Sequence, residues 1–230
     1  MAKKPPRVSK LASVEEDMEH AERVPPTPQS SAPAYRLAWD DPDFLHHDEM
    51  RGLRLQLELM KPEMILRDKG IASTVIMFGG ARIPAPVTKG RKAHENKTLQ
   101  GLAKYYDEAR RFAYLVSQES MKSYGREFVI VTGGGPGIME AGNHGAHQAG
   151  AASIGLNIVL PHEQAPNGYV TPDLCFNFHY FAIRKMHFLM RAKAITIFPG
   201  GFGTMDELFE TLTLIQTDRM KPVPVLLFAP

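Results

Sequence analysis

The sequence has a single cysteine, Cys175, among its 230 residues, so an intramolecular disulfide is impossible. It contains no run of about 18 apolar residues that could span a membrane, and its basic N-terminus has no apolar segment typical of a secretory signal. The formal net charge of +2 leaves no large basic field for nucleic acid. These absences predict a cytoplasmic protein with neither a membrane nor a nucleic acid as partner.

Motifs for metals and for the common cofactors are also missing. His144 and His147 share a helix face at a spacing of three, but further ligands are not evident nearby. No GxxxxGK[ST] is present, which excludes a P-loop NTPase. TGGGPG is not GxGxxG, and no acid follows the next strand to hold a ribose 2′-hydroxyl, which argues against NAD. We therefore expect no metal and no organic cofactor.

The chain divides by composition into three parts. Residues 1–42 carry several prolines and few large apolar residues, which predicts a mostly disordered polar tail. Residues 43–70 have the pattern of an N-terminal helical extension, which Pro62 would break or kink. Residues 71–230 have the alternating pattern of a nucleotide-binding domain. The chain ends where a doubly wound sheet usually closes with a helix, so we expect the C-terminal part of this domain to be missing.

Within the domain, short apolar β-rich runs alternate with amphipathic helical segments. This alternation predicts an α/β fold: a Rossmann-like, doubly wound parallel sheet with helices on both faces. The predicted strands cover residues 74–78, 128–132, 153–160, 175–180, 194–198 and 222–228. The predicted helices cover residues 97–120, 136–149, 183–193 and 205–219.

Three predicted strands end in glycine-rich loops: FGGAR, TGGGPG and PGGFGT. In parallel β/α units these loops share one edge of the sheet, and helix N-termini there favour phosphate. A small phosphorylated ligand such as a mononucleotide fits this pattern best. The candidate binding residues are Gly79, Gly80, Gly133, Gly134, Gly135, Gly137, Gly200, Gly201 and Gly203.

Two further groups could carry chemistry at the same edge. Arg184 and Lys185 begin the helix after the fourth strand, where a positive charge opposes the helix dipole unless an anion compensates. Glu207 follows the third glycine loop. Its spacing from Thr204 is also that of a T-x-x-E capping box, which stabilises a helix start without any chemistry. Both interpretations of Glu207 remain open at the level of spacing.

PGGFGTMDE matches the PGGxGTxxE motif of the LONELY GUY (LOG) family, and GGGPGIMEAG and Arg184-Lys185 extend the resemblance over residues 74–228. LPHEQAPN and LTLIQT resemble the longer bacterial branch. The resemblance implies hydrolysis of a nucleoside 5′-monophosphate, a cytokinin nucleotide or AMP, to free base and ribose 5-phosphate. It implies a catalytic pair, Arg184 and Glu207, and a homodimer or larger homo-oligomer. The implied substrate contacts are Glu163, Lys185, the loop 200–206 with Thr204 and Asp206, and Thr213.

Two other functions compete with this one. A non-catalytic nucleotide or cofactor carrier, resembling molybdenum-cofactor carrier proteins, would share the glycine loops but would need no carboxylate beside the sugar. A decarboxylase that uses pyridoxal phosphate, the activity implied by a name often given to LOG proteins, needs a Schiff-base lysine. No lysine in the sequence has a convincing placement for that role.

Overall fold

The computed structural model describes residues 11–86, 97–161 and 165–228. The chain divides into two compact units, Met1–Arg54 and Leu55–Pro230. Among the described residues, no helix is long and apolar enough to cross a membrane.

The first unit contains short helical elements in the segment predicted to be a mostly disordered tail. Helix α1, Val14–Glu22, has a complete capping box between Ser13 and Glu16 but buries no residue. Local capping therefore forms this helix without a core, which composition alone did not indicate. Helix α2, Pro42–Leu45, is capped by Asp41. Single 3₁₀ turns cover Pro33–Tyr35, Ala38–Asp40 and Asp48–Met50. The division into tail, extension and domain stays a prediction.

Helix α3, Arg51–Asp68, runs through Pro62 without interruption, so the expected break does not occur. Proline has no N–H to donate to the carbonyl four residues earlier, which is that of Glu58. His187 lies 3.2 Å from this carbonyl through Nε2 and replaces the missing donor. Pro62 and Leu66 are buried on the inner face of the helix. The lost hydrogen bond is thus compensated by a contact with a distant part of the chain.

The described strands form one six-stranded parallel sheet in the order β4-β3-β2-β1-β5-β6, which confirms the predicted fold. Each predicted strand is present, with shifts of a few residues at the ends. The strands are β1 Thr74–Phe78, β2 Val129–Thr132, β3 Ser153–Ile158, β4 Cys175–Phe178, β5 Ala192–Ile197 and β6 Val225–Leu227.

Helices cover both faces of the sheet. The central strand β1 is buried throughout, and its side chains alternate between two hydrophobic cores. The helices of the domain that follow α3 are α4 Lys97–Gly101, α5 Lys104–Met121, α6 Ile138–Gln148, α7 Phe181–Met190 and α8 Phe202–Gln216. Val75 and Met77 pack with α5 and α6, whereas Ile76 and Phe78 pack with α3, α7 and α8.

Helix α6 agrees with the predicted helix over residues 136–149 at its end but not at its start. Gly150 follows its end with φ of +71°, as expected for a glycine just past a helix. Pro136 does not occupy the first turn, because the helix begins at Ile138 with Gly137 as its N-cap. Gly137 has φ of +69°, and a Cβ there would lie 2.4 Å from the carbonyl oxygen of Gly80. The turn before α6 thus needs glycine for both conformation and space.

The strand order reverses between β1 and β5, and in such sheets a crevice opens there at the carboxyl ends of the strands. The loop after β1 reaches both neighbouring glycine loops. The N–H of Gly80 donates to the carbonyl of Pro199 at 2.9 Å, and the N–H of Ile138 donates to the carbonyl of Gly80 at 3.2 Å. The three glycine loops therefore meet at the switch point of the sheet.

Candidate functional site

A cavity of about 520 Å³ lies at this switch point. The three glycine loops, the start of α8 and one side of α7 form its walls. Arg184 and Glu207 both line it, so the structure brings the two predicted catalytic residues to one cavity. The other predicted residues that line it are Gly79, Gly80, Gly133, Gly200, Gly201, Gly203 and Thr204.

The remaining predicted site residues that the structure describes do not line the cavity. Gly134 and Gly137 serve the conformation of their loop, with φ of +74° and +69°. The hydroxyl of exposed Thr213 donates to the carbonyl of Phe209 at 2.7 Å. Those that do not line the cavity are Gly134, Gly135, Gly137, Lys185, Asp206 and Thr213. Glu163 lies outside the described residues. For all of these, substrate contact stays a prediction.

The predicted capping box between Thr204 and Glu207 is absent. Helix α8 begins at Phe202 with Gly201 as N-cap and without a side-chain capping bond, because the glycine loop itself turns into the helix. The N–H groups of Thr204 and Met205 donate to the carbonyl of Gly201 at 3.0 and 3.1 Å. Thr204 and Glu207 are therefore the third and sixth residues of the helix. A capping role therefore does not explain the glutamate at position 207.

Glu207 is a buried carboxylate that faces the cavity. Its residue is 7% exposed, and within the described part of the chain no hydrogen bond reaches its carboxylate. Burial raises the pKa of Glu207 to about 7, although Arg184 and Lys185 oppose this shift; nearby Glu210 and Asp206 add to it. Placing an unbonded carboxyl group in a protein interior is costly, and such groups are enriched at functional sites.

Arg184 lines the cavity from α7 and is held in place there. Its Nε donates to the carbonyl of Leu156 at 2.7 Å, and its guanidinium lies 5.1 Å from the centroid of the Phe188 ring. A Cβ on Gly133 would lie 2.8 Å from Nη2, so the second glycine loop makes room for this side chain. Burial lowers the pKa of Arg184, whereas the negative charge of Glu207 opposes that shift. Arginine keeps its proton in proteins, so the cavity holds a fixed positive charge.

Lys185, the neighbour of Arg184, has a different position. Its Nζ forms ion pairs with Asp206 and Glu210, both at 2.8 Å, and so joins α7 to α8. Burial alone would lower the pKa of Lys185, but the ion pairs with these carboxylates outweigh burial and raise it. Consecutive helical residues point about 100° apart, so only one of the pair faces the cavity. The Lys185 contacts hold together the two helices that carry Arg184 and Glu207.

Sequence reasoning missed the polar residues that support the second glycine loop. Asn167 donates from Nδ2 to the carbonyls of Gly134 and Gly135, both at 3.0 Å. Its partner Asn143 is fully buried and accepts from the hydroxyl of Thr132 at 2.7 Å. Two asparagines far apart in sequence gave no signal for this network, since their pairing depends on the fold. The apolar wall of the cavity, which includes Ile83, Leu99, Leu102 and Met139, was missed for the same reason.

His144 and His147 have an aromatic neighbour. The His144 ring stacks on Tyr169 with centroids 4.1 Å apart, and the His147 ring lies 5.7 Å from the same tyrosine. Burial lowers the pKa of His144. Across the described ranges, no group of three or more His, Cys, Asp and Glu residues could hold a metal ion. That the protein works without a metal stays a prediction.

The burial of Glu207 predicts that Glu207→Gln stabilises the fold at alkaline pH. A folded-state pKa of about 7, above the ordinary value of 4.5, means that the folded protein holds this proton more tightly than the unfolded chain. The resulting stability is fully present below about pH 4 and is lost as pH rises through about 7. Glutamine has no proton to lose. Relative to wild type, we expect the variant to gain about 2–3 kcal/mol more at pH 8.5 than at pH 5, or roughly 5–10 °C in Tm.

Thermal unfolding at the two pH values checks this expectation. Glu108→Gln, which makes the same change of charge at an exposed position, is the matched control and should show no such pH dependence. A Glu207→Gln stability difference that is equal at both pH values would contradict the assigned titration.

Comparison with known proteins finds one matching family model and several solved structures of similar fold. A family model described as "Possible lysine decarboxylase" matches residues 139–230, from the first turn of α6 onward. No curated protein matches the chain.

Solved structures with similar folds include three whose TM-scores are all below 0.5. TM1055 is 18% identical, with a TM-score of 0.43, over 66% of this chain and 72% of that one. The Moco carrier protein from Chlamydomonas reinhardtii is 18% identical, with a TM-score of 0.39, over 67% and 75%. The molybdenum cofactor binding protein from Rippkaea orientalis is 20% identical, with a TM-score of 0.41, over 68% and 77%. Likenesses of this degree do not indicate what the present chain binds.

Proposed function

We propose that this protein is a LOG-type phosphoribohydrolase that hydrolyses the N-glycosidic bond of a nucleoside 5′-monophosphate. The products would be the free base and ribose 5-phosphate. The observation that carries the proposal is the buried carboxylate of Glu207, which accepts no hydrogen bond from a described residue and shares with Arg184 a cavity that the three glycine loops also line. The family match over residues 139–230 covers both residues and supports the sequence resemblance.

The chemistry requires a negative charge beside the sugar. Cleavage of a ribosyl C–N bond builds positive charge on the ribose, as in glycosidases. The Glu207 carboxylate would stabilise this charge and orient the attacking water. Because Glu207 is buried, the interaction is stronger than it would be in solution. In this mechanism Glu207 acts in its ionised form.

The start of α8 suits the 5′-phosphate. No described atom lies within 4 Å of a Cβ built on Gly201 or Gly203, so the protein's own packing does not require glycine at either position. Gly203 lies inside α8, where glycine costs about 1 kcal/mol relative to alanine. Space for a bound group would account for both glycines. The N–H groups of the loop and the helix dipole favour a phosphate there, and Arg184 supplies positive charge.

The size and walls of the cavity are compatible with the rest of a nucleotide. Small-molecule sites occupy about 300–1,000 Å³, and the volume of about 520 Å³ lies in this range. Ile83, Leu99, Leu102 and Met139 provide apolar surface on which a base could pack. These residues do not distinguish AMP from a cytokinin nucleotide, so both belong to the proposed substrates.

The competing functions account for fewer of these features. A carrier of a phosphorylated ligand gains nothing from a buried carboxylate in the same cavity, because like charges repel. A pyridoxal phosphate enzyme needs a lysine with a lowered pKa. Among the described residues that line the cavity there is no lysine, and the ion pairs of Lys185 raise its pKa instead. Hydrolysis explains the site better than either alternative.

The proposal includes self-association, as the LOG resemblance implies. Several large apolar side chains on α7 and α8 are exposed, among them Phe202 at 96% and Phe209 at 62%. Burying such residues in a homodimer or larger homo-oligomer would stabilise the assembly. Phe202 lies between Gly201 and Gly203, next to the proposed phosphate site. Assembly and catalysis would then share this part of the molecule.

A small substrate panel tests the proposed reaction. The protein is incubated with AMP, isopentenyladenosine monophosphate and unphosphorylated adenosine, and free base is measured by chromatography. We expect base from at least one monophosphate and roughly 100-fold less from adenosine, since the phosphate contacts supply binding energy used in catalysis. Release from none of the three by the intact oligomer would refute the proposal.

A further inference from the structure

The helix that carries Arg184 is held by α3, which precedes the sheet. The carboxylate of Glu58 accepts the backbone N–H of His179 at 2.8 Å through Oε1 and that of Tyr180 at 3.1 Å through Oε2. These N–H groups lie at the start of α7, where Tyr180 is the N-cap and no cap bond comes from its own side chain. A residue more than one hundred positions away therefore caps this helix.

The Glu58 contact explains how α7 tolerates positive charges near its N-terminus. Arg184 and Lys185 place two positive charges in the first turns of a helix, where the dipole disfavours them. The Glu58 carboxylate is the compensating anion at that helix start. It accepts two backbone N–H groups at that start, those of His179 and Tyr180. Arg184 itself lines the cavity.

Two more contacts from α3 hold α7 along its length. His187, which is buried, approaches the carbonyl of Glu58, the one that Pro62 leaves without a helical donor. At the C-cap of α7, Arg191 binds the carboxylate of Glu63 through both terminal nitrogens, with Nη2 2.9 Å from Oε2. The Arg191 Nε donates to the carbonyl of Ile71 at 3.2 Å. These contacts fix the helix at its start, middle and end.

We propose that Glu58 is a positioning residue that sets the location of Arg184 in the cavity that it shares with Glu207. The backbone path between them is short, because the N–H of Arg184 donates to the carbonyl of Tyr180 at 3.2 Å, inside the turn that Glu58 caps. The inference rests on the proposed function for its consequence in catalysis. Its structural part, the placement of the Arg184 charge near Glu207, stands independently.

The first test compares Glu58→Ala, Glu58→Gln and wild type in base release. Loss of the carboxylate frees the start of α7, and misplacement of a catalytic group costs rate; we expect kcat of Glu58→Ala to fall at least about tenfold with a smaller change in KM. Glu58→Gln keeps an acceptor oxygen and should retain kcat within about threefold. Glu119→Ala, which removes an exposed glutamate from α5, is the matched control. An unchanged kcat in Glu58→Ala, measured well below its Tm, would overturn the inference.

A second measurement does not depend on activity. The side-chain carboxyl of Glu207 is titrated by ¹³C NMR in wild type and Glu58→Ala. The charged groups facing it are Arg184 and Lys185 on α7 and Asp206 and Glu210 on α8. If Arg184 moves away, its favourable charge is lost and the titration midpoint rises. A purely stabilising role for Glu58 would lower Tm and leave the midpoint unchanged, which would also overturn the inference.

The two measurements separate the inference from the proposed reaction. If wild type releases no base, the reaction is wrong, and the Glu207 midpoint alone decides whether Glu58 positions Arg184. If Glu58→Ala does not fold, Glu58→Asp takes its place, since a side chain shorter by one methylene cannot reach both N–H groups. We then expect kcat to fall about threefold with the fold retained. An unchanged kcat and midpoint in Glu58→Asp would count against the inference.

Discussion

Glu207→Gln is expected to lower kcat for base release on the order of 10³-fold. Glutamine has nearly the same shape, so the cavity and α8 keep their geometry while the negative charge disappears. The positive charge that develops on the ribose would then face a neutral group. Because position 207 is buried, solvent compensates poorly for the lost interaction. Ground-state binding of the nucleotide should change little or improve, since a negative charge near the phosphate is removed.

Glu108→Gln is the matched control for this variant. It makes the same change of charge at an exposed position of α5 that does not line the cavity, so kcat should stay within about threefold. If Glu207→Gln retained more than about a tenth of wild-type kcat, a catalytic role for its charge would be untenable.

Arg184→Met is expected to lower kcat/KM by about 10²–10³-fold, with a large part of the loss in KM. Methionine keeps apolar volume against Phe188 but removes the fixed charge and the bond to the Leu156 carbonyl. The phosphate would then lack its cationic partner. Arg184→Lys should restore little activity, because an ammonium cannot reproduce the planar fork that holds Leu156 and faces the cavity at once. Steady-state kinetics on the preferred nucleotide of the panel measure both parameters.

Arg111→Met removes an exposed arginine of α5 that does not line the cavity, and serves as control. It should behave as wild type. Full activity of Arg184→Lys would mean that any positive charge suffices and that the fixed guanidinium geometry has no role.

The fold was predictable because its signals are local. Each strand is an apolar run bounded by glycine or by a helix start, and parallel topology follows from the alternation of strands and helices. The location of the site followed as well, since glycine loops after parallel strands share one edge. The order β4-β3-β2-β1-β5-β6, which creates the switch point, came only from the structure.

Sequence spacing alone could not decide whether Glu207 caps α8 or has a function in the cavity. T-x-x-E occurs both at capped helix starts and inside helices, and the choice depends on where the helix begins. Here α8 begins at Phe202 after the N-cap Gly201, so Thr204 is already the third helical residue. Burial of Glu207 depends on how α8 packs in the fold, which is tertiary information. A cap would have made substitution destabilising, whereas a buried carboxylate makes Glu207→Gln stabilising above neutral pH.

The contacts by which α3 holds α7 could not be predicted from the sequence either. Glu58 and His179 are 121 residues apart, and neither has a local pattern that indicates the other. Pro62 was taken as a break because proline lacks an N–H, and the donor that replaces it, His187, comes from α7. Long-range hydrogen bonds of this kind depend on how the helices pack. Sequence reasoning therefore predicted several residues that line the cavity but not the residues that hold its walls in place.

The most direct measurement is a mass balance on wild-type protein incubated with AMP under multiple-turnover conditions. If the account is right, adenine and ribose 5-phosphate appear in equal amounts as AMP disappears, and Glu207→Gln leaves AMP intact in the same assay. AMP recovered whole but bound by wild-type protein would instead identify a carrier. Adenosine and free phosphate would identify cleavage of the wrong bond.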